Sequence, residues 1–180
     1  MSAARVAARY AKAFVDALSD QNRLGDAESF LEFCEVVDGN GQLRRLFANY
    51  AVSPRIKTGV VDALAKKLSL SGLSLTFLQL LVKKRRLDIL SELRVAVNEN
   101  VNRKLNIQPV KLVTAASPSA EEVQAFSQGM GARLGCEVKV ESRVDASLLG
   151  GAIAQVGSVV YDGSVRGRLD RLRQELIKEK

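Results

Sequence analysis

The chain has 180 residues, with 27 Lys and Arg against 20 Asp and Glu (formal net charge +7) and 47% apolar side chains. That much apolar material fills a core and excludes intrinsic disorder, which needs low hydrophobicity together with high net charge. Histidine is absent and thiols come from Cys34 and Cys136 alone, which excludes Ser-His-Asp and Cys-His nucleophiles, imidazole metal sites and four-thiolate zinc clusters.

Met1–Arg9 carries no apolar core of an export signal, so the cysteines read as small buried hydrophobes of a reducing compartment, with a Cys34–Cys136 disulfide the lesser alternative. Val6, Tyr10, Ala13, Phe14 and Ala17 share one helical face among alanines that favour helix. Leu24, Ala27, Leu31 and Cys34 mark a second helix that Gly39 and Gly41 end, and Leu43–Phe47 a short third. Ser53-Pro54 is a helix start with Ser as N-cap, followed by an expected buried stripe of Ile56, Val60, Leu64 and Leu68. Ser71-Gly72 breaks the chain before the apolar segment Leu73–Val82, and Leu93, Val97, Val101 and Leu105 mark a long sixth helix.

The pattern changes near Asn106, where Pro109 argues against continued helix. Val110–Thr114 reads as a strand. Ser119 with Glu122 is a capping-box pattern that opens a helix with the stripe Val123, Phe126, Met130 and Leu134, stopped at Gly135. Cys136, Val138 and Val140 alternate with charged residues, as in a half-buried strand. Gly150-Gly151 precedes a strand over Ala152–Val156, and Val159–Tyr161 continues or pairs with it. Asp162-Gly163 turns the chain, Ser164 caps a last helix, and Val165, Leu169, Leu172 and Leu176 share a face of it that must pack on something. The longest charge-free runs, Leu68–Val82 and Ala146–Tyr161, are shorter than the ~20 apolar residues of a spanning helix. The expected architecture is mainly α in two domains: a six-helix bundle over 1–106, then a small α+β domain over 107–180.

No grouping of residues here points to catalysis. The basic run Lys83–Arg86 suits a solvated helix C-terminus. Arg166, Arg168, Arg171 and Arg173 spread round their helix with acids between them. Nucleic-acid surfaces interleave stacking aromatics with charge, and aromatics total 5%. Neither phosphate-binding glycine motif occurs. Leu73–Val82 is apolar nearly all round; either a neighbouring helix covers its second face, or that face is a groove for a partner's amphipathic helix.

Gly150-Gly151, Val156-Gly157 and Tyr161-Asp162-Gly163-Ser164-Val165-Arg166-Gly167-Arg168-Leu169 resemble the signature of the delta subunits of F-type ATP synthase, whose mitochondrial counterpart is the oligomycin-sensitivity-conferring protein. Ala8–Ala13, Phe77–Leu81 and Arg86-Leu87 resemble the same family. The resemblance implies a non-catalytic stator subunit without cofactor or metal. It implies that the bundle holds N-terminal helices of the alpha subunits and that the C-terminal domain grips the C-terminus of the b subunit. A peripheral position on the cytoplasmic face of a bacterial membrane follows, with no insertion into the membrane and no nucleic acid as partner. The family's groove lies between its first and fifth helices; by position this selects Tyr10, Ala13, Ala17, Leu75, Leu78, Gln79 and Val82. The competing expectation, from the isoelectric point near 9.6, is a basic nucleic-acid-binding module.

Overall fold

A computed structural model describes residues 3–70 and 72–178. The chain divides into two compact units, Met1–Val101 and Asn102–Lys180. Among the described residues it is mainly helical, with one small sheet.

The first unit is built from α1 (Ala3–Asp20), α2 (Ala27–Gly39), α3 (Gly41–Ala48), α4 (Pro54–Lys67), α5 (Gly72–Lys83) and most of α6 (Leu90–Lys104), which ends three residues into the second. Their apolar faces meet in one core, centred on Phe30, Phe33, Phe47, Leu18, Leu78, Leu81 and Leu93. Phe14 stacks on Phe77 with ring centroids 4.3 Å apart, and both rings turn against Phe30 at 5.2 and 5.4 Å. Cys34 is fully buried, and burial pushes its thiol far above the ordinary range; Cys136 is half-exposed, and both are free thiols.

Several helix ends differ from the sequence reading. Gly41 does not break the chain but opens α3, because the Asn40 carboxamide accepts from the N–H groups of Gln42 and Leu43 at 2.9 and 3.3 Å. Ser53 holds the N-cap position of α4 without a side-chain cap, and Pro54 follows at the first turn. The buried stripe of α4 is turned by about one residue from the expected one. Val61 and Ala65 are its core residues and Lys57 lies in line with them; of the expected stripe, Val60, Leu64 and Leu68 are half-buried against the same core and Ile56 is exposed. The polar Lys57 is accommodated because its Nζ donates to the Phe47 carbonyl at 2.7 Å, answering one of the unpaired carbonyls at the end of α3. Leu105 falls beyond α6 and is exposed.

The second unit is a four-stranded sheet of order β2-β1-β3-β4, from β1 (Ile107–Thr114), β2 (Glu137–Val144), β3 (Ala152–Val156) and β4 (Val159–Asp162), with helices α7 (Ala120–Leu134) and α8 (Val165–Lys178). β1 and β2 run parallel, joined through α7; β3 pairs antiparallel with β1 and β4 with β3. β1 begins three residues earlier than the alternation suggests and contains Pro109. The ladder to β3 ends at Val110↔Val156, so at Pro109 the strand has a neighbour on one flank, where a missing N–H is tolerated. Ser119 and Glu122 form the expected capping box, and Gly135, at φ +69°, ends α7. Cys136 precedes β2 rather than belonging to it. The core is small: Val110, Leu112, Val138 and Ala154, with Phe126, Met130 and Leu134 of α7 half-buried against them.

Candidate partner-binding surfaces

The apolar α5 is covered mainly by its neighbours. Ser74, Phe77, Leu78, Leu81 and Val82 are buried, while Thr76, Gln79, Leu80 and Lys83 face outward. Two contacts set the helix's rotation. The Gln79 amide donates to Asp62 of α4 at 3.2 Å, so this flank of α5 lies against α4. Phe77 lies about 160° round the helix from Gln79, at ~100° per residue, and its stack on Phe14 marks the flank toward α1.

This geometry revises the candidate residues. Leu78 and Val82 are 0% and 3% exposed, which makes them core residues rather than walls of a seam beside α1. Leu75 is half-buried and, with Gln79, belongs to the α4 side. The α5 residues on the α1 flank are Leu73, Thr76, Phe77 and Leu80; Leu80 is 41% exposed. On α1, Ala13 and Ala17 are exposed and Tyr10 is half-buried, all on the side of α1 that bears Phe14. The seam is therefore floored by the Phe14–Phe77 stack, two buried residues that keep 5% and 8% exposure. Its walls are small on α1 and apolar on α5. Leu73 and Leu80 could have been found by asking which α5 residues share a face with Phe77 rather than with Gln79.

The second unit offers a different surface. Leu149, Val159, Val160, Val165 and Leu169 are each 45% or more exposed, and Tyr161 is 38% exposed. The apolar stripe of the last helix is patterned to pack. Val165 and Leu169 instead stand open, while the side chains of Leu172 and Leu176 lie outside the described residues. What fixes this surface is the loop pair flanking β3 and β4. The Gly163 N–H donates to the Ala152 carbonyl and the Val165 N–H to the Gly150 carbonyl, both at 3.0 Å. The Asp162 carboxylate accepts from the Ser164 N–H at 2.8 Å and hydroxyl at 2.7 Å, and that hydroxyl in turn accepts from Gly167 N–H at 3.0 Å. A Cβ at Gly167 would meet the Asp162 carboxylate, so a larger residue there would push that carboxylate off its Ser164 bonds. The Gly-Gly and Asp-Gly-Ser-Val-Arg-Gly pieces thus form one interlocked turn that starts α8.

The chain matches the family model for the ATP synthase delta (OSCP) subunit over residues 6–176. It belongs to this family. Among curated relatives it is 33% identical to ATP synthase subunit delta of Acidobacterium capsulatum, covering 96% of this chain and 98% of the relative. It is 32% identical to ATP synthase subunit delta of Syntrophus aciditrophicus, covering 95% of each. Among solved structures it resembles a chain of the Toxoplasma gondii mitochondrial ATP synthase hexamer, with a TM-score of 0.69 and 26% identity over 95% of this chain and 97% of the other. This delta-family chain is a subunit of the peripheral-stalk region of ATP synthase. Among its described residues no helix is long and apolar enough to cross a membrane.

The interlocked turn makes this delta-family fold acid-sensitive at one place. The hydrogen bonds from the Ser164 side chain and backbone hold the Asp162 carboxyl below its ordinary range. A depressed carboxyl contributes stability above the unfolded-state value, and that contribution is lost as pH falls through the folded value. Acidification below about pH 4 is therefore expected to lower amide protection at Ser164 and Gly167. Hydrogen exchange followed by NMR checks this, with Asp162→Asn expected to flatten the pH dependence.

Proposed function

We propose that this subunit is a non-catalytic stator clamp, with its N-terminal bundle on the catalytic head and its C-terminal unit on the peripheral stalk. In this reading the N-terminal helix of an alpha subunit lies in the seam lined by Tyr10, Ala13 and Ala17 of α1 and Leu73, Phe77 and Leu80 of α5. The apolar surface around Val160, Val165 and Leu169 is covered by the end of the b subunit. The clamp would then be held peripherally, at the cytoplasmic face of a bacterial membrane, by its partners. The carrying observation is that two separately cored units each expose apolar surface, one as a narrow seam and one as an open patch.

Such a clamp has a mechanical task. The turning rotor exerts a reaction torque on the head, and unless the head is tied to the stator it turns as well and no work reaches the nucleotide. Two attachments in one complex reinforce each other through effective concentration, so neither needs extreme affinity. The alanines of α1 allow a guest helix close approach, and each large apolar anchor it buries contributes ~1.5–3 kcal/mol before ordering costs.

The test uses the full chain with a peptide of the alpha subunit's N-terminal helix, read by isothermal titration. Saturable micromolar binding is expected. Ala13→Asp and Leu80→Asp are expected to weaken it at least tenfold while leaving thermal unfolding nearly unchanged, because both sites are exposed. Gln79→Asp, on the α4 flank, should change it little. No saturable binding by folded protein would remove the seam from the mechanism. A peptide from the C-terminus of the b subunit provides the second arm, with Val160→Asp and Leu169→Asp as variants.

A further inference from the structure

The charge of the chain is concentrated in one stretch. Residues 41–86 hold ten basic side chains and one acidic one, Asp62, a net +9, whereas the rest of the chain carries −2. Among the described residues, none of these ten cations takes part in an ion pair. Six of them, Arg55, Lys57 and Lys83 to Arg86, lie at the start of α4 and the end of α5. The two helix ends meet in a small cleft of about 10 Å³, where Lys57 and Arg85 stand among Val52, Pro54, Val82 and Leu87.

Arg85 is held there at a backbone cost. The Arg85 N–H donates to the Val82 carbonyl at 3.0 Å and the Arg86 N–H to the Leu81 carbonyl at 2.8 Å, the paired bonds of a left-handed helix stop. The residue at that stop is normally glycine, yet Arg85 occupies it at φ 55°. Lys57 is 9% exposed and gives one of its three N–H donors to Phe47. The nearby carboxylate is Asp88, which accepts from the Tyr50 hydroxyl at 2.8 Å. Burial draws Lys57 below its ordinary range; Asp88 pulls the other way, and Arg85 adds a smaller push downward. Two cations facing one cleft gain from an added negative charge.

We propose that this cleft is an anion site that seats a carboxylate of an acidic peptide segment, a contact separate from the α1–α5 seam and independent of it. The cleft has room for about one water-sized group, which suits a carboxylate oxygen with its stem against the apolar wall. Exposed Ile56 and Pro54 beside it offer an apolar footing for the peptide. A nucleic-acid surface interleaves several stacking aromatics with its cations, and this cleft is lined by one aromatic, Tyr50. The surrounding cations raise the encounter rate of any acidic segment.

The experiment is fluorescence anisotropy on the full chain with labelled deca-glutamate at low salt. Deca-thymidylate and vesicles of phosphatidylcholine with phosphatidylserine run in parallel. Saturable binding of the peptide is expected, with amide shift changes at Tyr50, Lys57 and Arg85. Arg85→Gly is the decisive variant, because glycine suits φ 55° and the fold is kept or strengthened. It is expected to cost tenfold in peptide affinity, as is Lys57→Met, whereas Arg143→Gln in the other unit leaves affinity unchanged. Absence of saturable peptide binding, an Arg85→Gly variant with full affinity, or tighter binding of thymidylate or vesicles would each overturn the proposal.

Discussion

Leu78→Asp is expected to abolish the cooperative unfolding transition of the N-terminal unit, whereas Leu78→Ala should lower its stability by about 2–5 kcal/mol. Leu78 is fully buried, in the core that holds the Phe14–Phe30–Phe77 cluster. An aspartate there removes the apolar contacts and adds an unpaired carboxylate, and together these exceed the ~5–15 kcal/mol that holds a domain of ordinary size. Circular dichroism on heating, with NMR to follow each unit, checks the outcome. The signals of the C-terminal unit should persist, since that unit has its own core. A folded Leu78→Asp bundle that merely loses affinity for the head would show that α5 rotates to present this residue. The comparison with Ala13→Asp then separates anchoring from folding, because both replace an apolar residue of the same two helices and differ in burial.

Much of this architecture was legible because local signals agreed with one another. Six helical stretches, the capping box at Ser119, the stop at Gly135 and the turn at Asp162-Gly163 are short-range devices, readable from adjacent residues. The rotation of helices was less legible. In α4 the stripe 56-60-64-68 and the stripe 57-61-65 differ by one residue, and the choice rests on a lysine being buried, which apolar periodicity never favours. What permits it is the Phe47 carbonyl at the end of another helix, a partner ten residues away. In α5 the composition is apolar on nearly every side, so periodicity carries no phase. The phase comes from Phe77 on Phe14 and Gln79 on Asp62, both tertiary contacts. The same limit applies to α8, where an apolar stripe signals contact but not whether the cover belongs to this chain. Val165 and Leu169 are open, and the proposed stalk contact would cover them.

Gly151→Ala is expected to destabilise the C-terminal unit by about 3–4 kcal/mol. Gly151 has φ +76°, which costs an alanine about 1–2 kcal/mol. The added Cβ would also stand 2.5 Å from the Gly163 carbonyl oxygen and 3.1 Å from the Ser164 Cα, both backbone atoms. A flexible side chain could swing aside, but here the two loops must separate. Separation strains the Gly163-to-Ala152 and Val165-to-Gly150 hydrogen bonds, each worth about 1 kcal/mol. The unit has little to set against such a loss, since its buried core cluster comprises Val110, Leu112, Val138 and Ala154. Its unfolding should therefore move to markedly lower urea while the N-terminal bundle unfolds as before, and amide exchange at β3 and β4 should accelerate most. Gly157, also at positive φ but with open space round its Cβ position, is the control: Gly157→Ala should cost only the backbone part. Because α8 starts from the same interlocked turn, Gly151→Ala also disorders the ground on which the proposed stalk contact at Val165 and Leu169 stands. A loss of affinity for the stalk should accompany the loss of fold, with head affinity retained. Equal, small effects of the two glycine substitutions would mean that the loops are slack and that the Gly-Gly pair serves some purpose other than close packing.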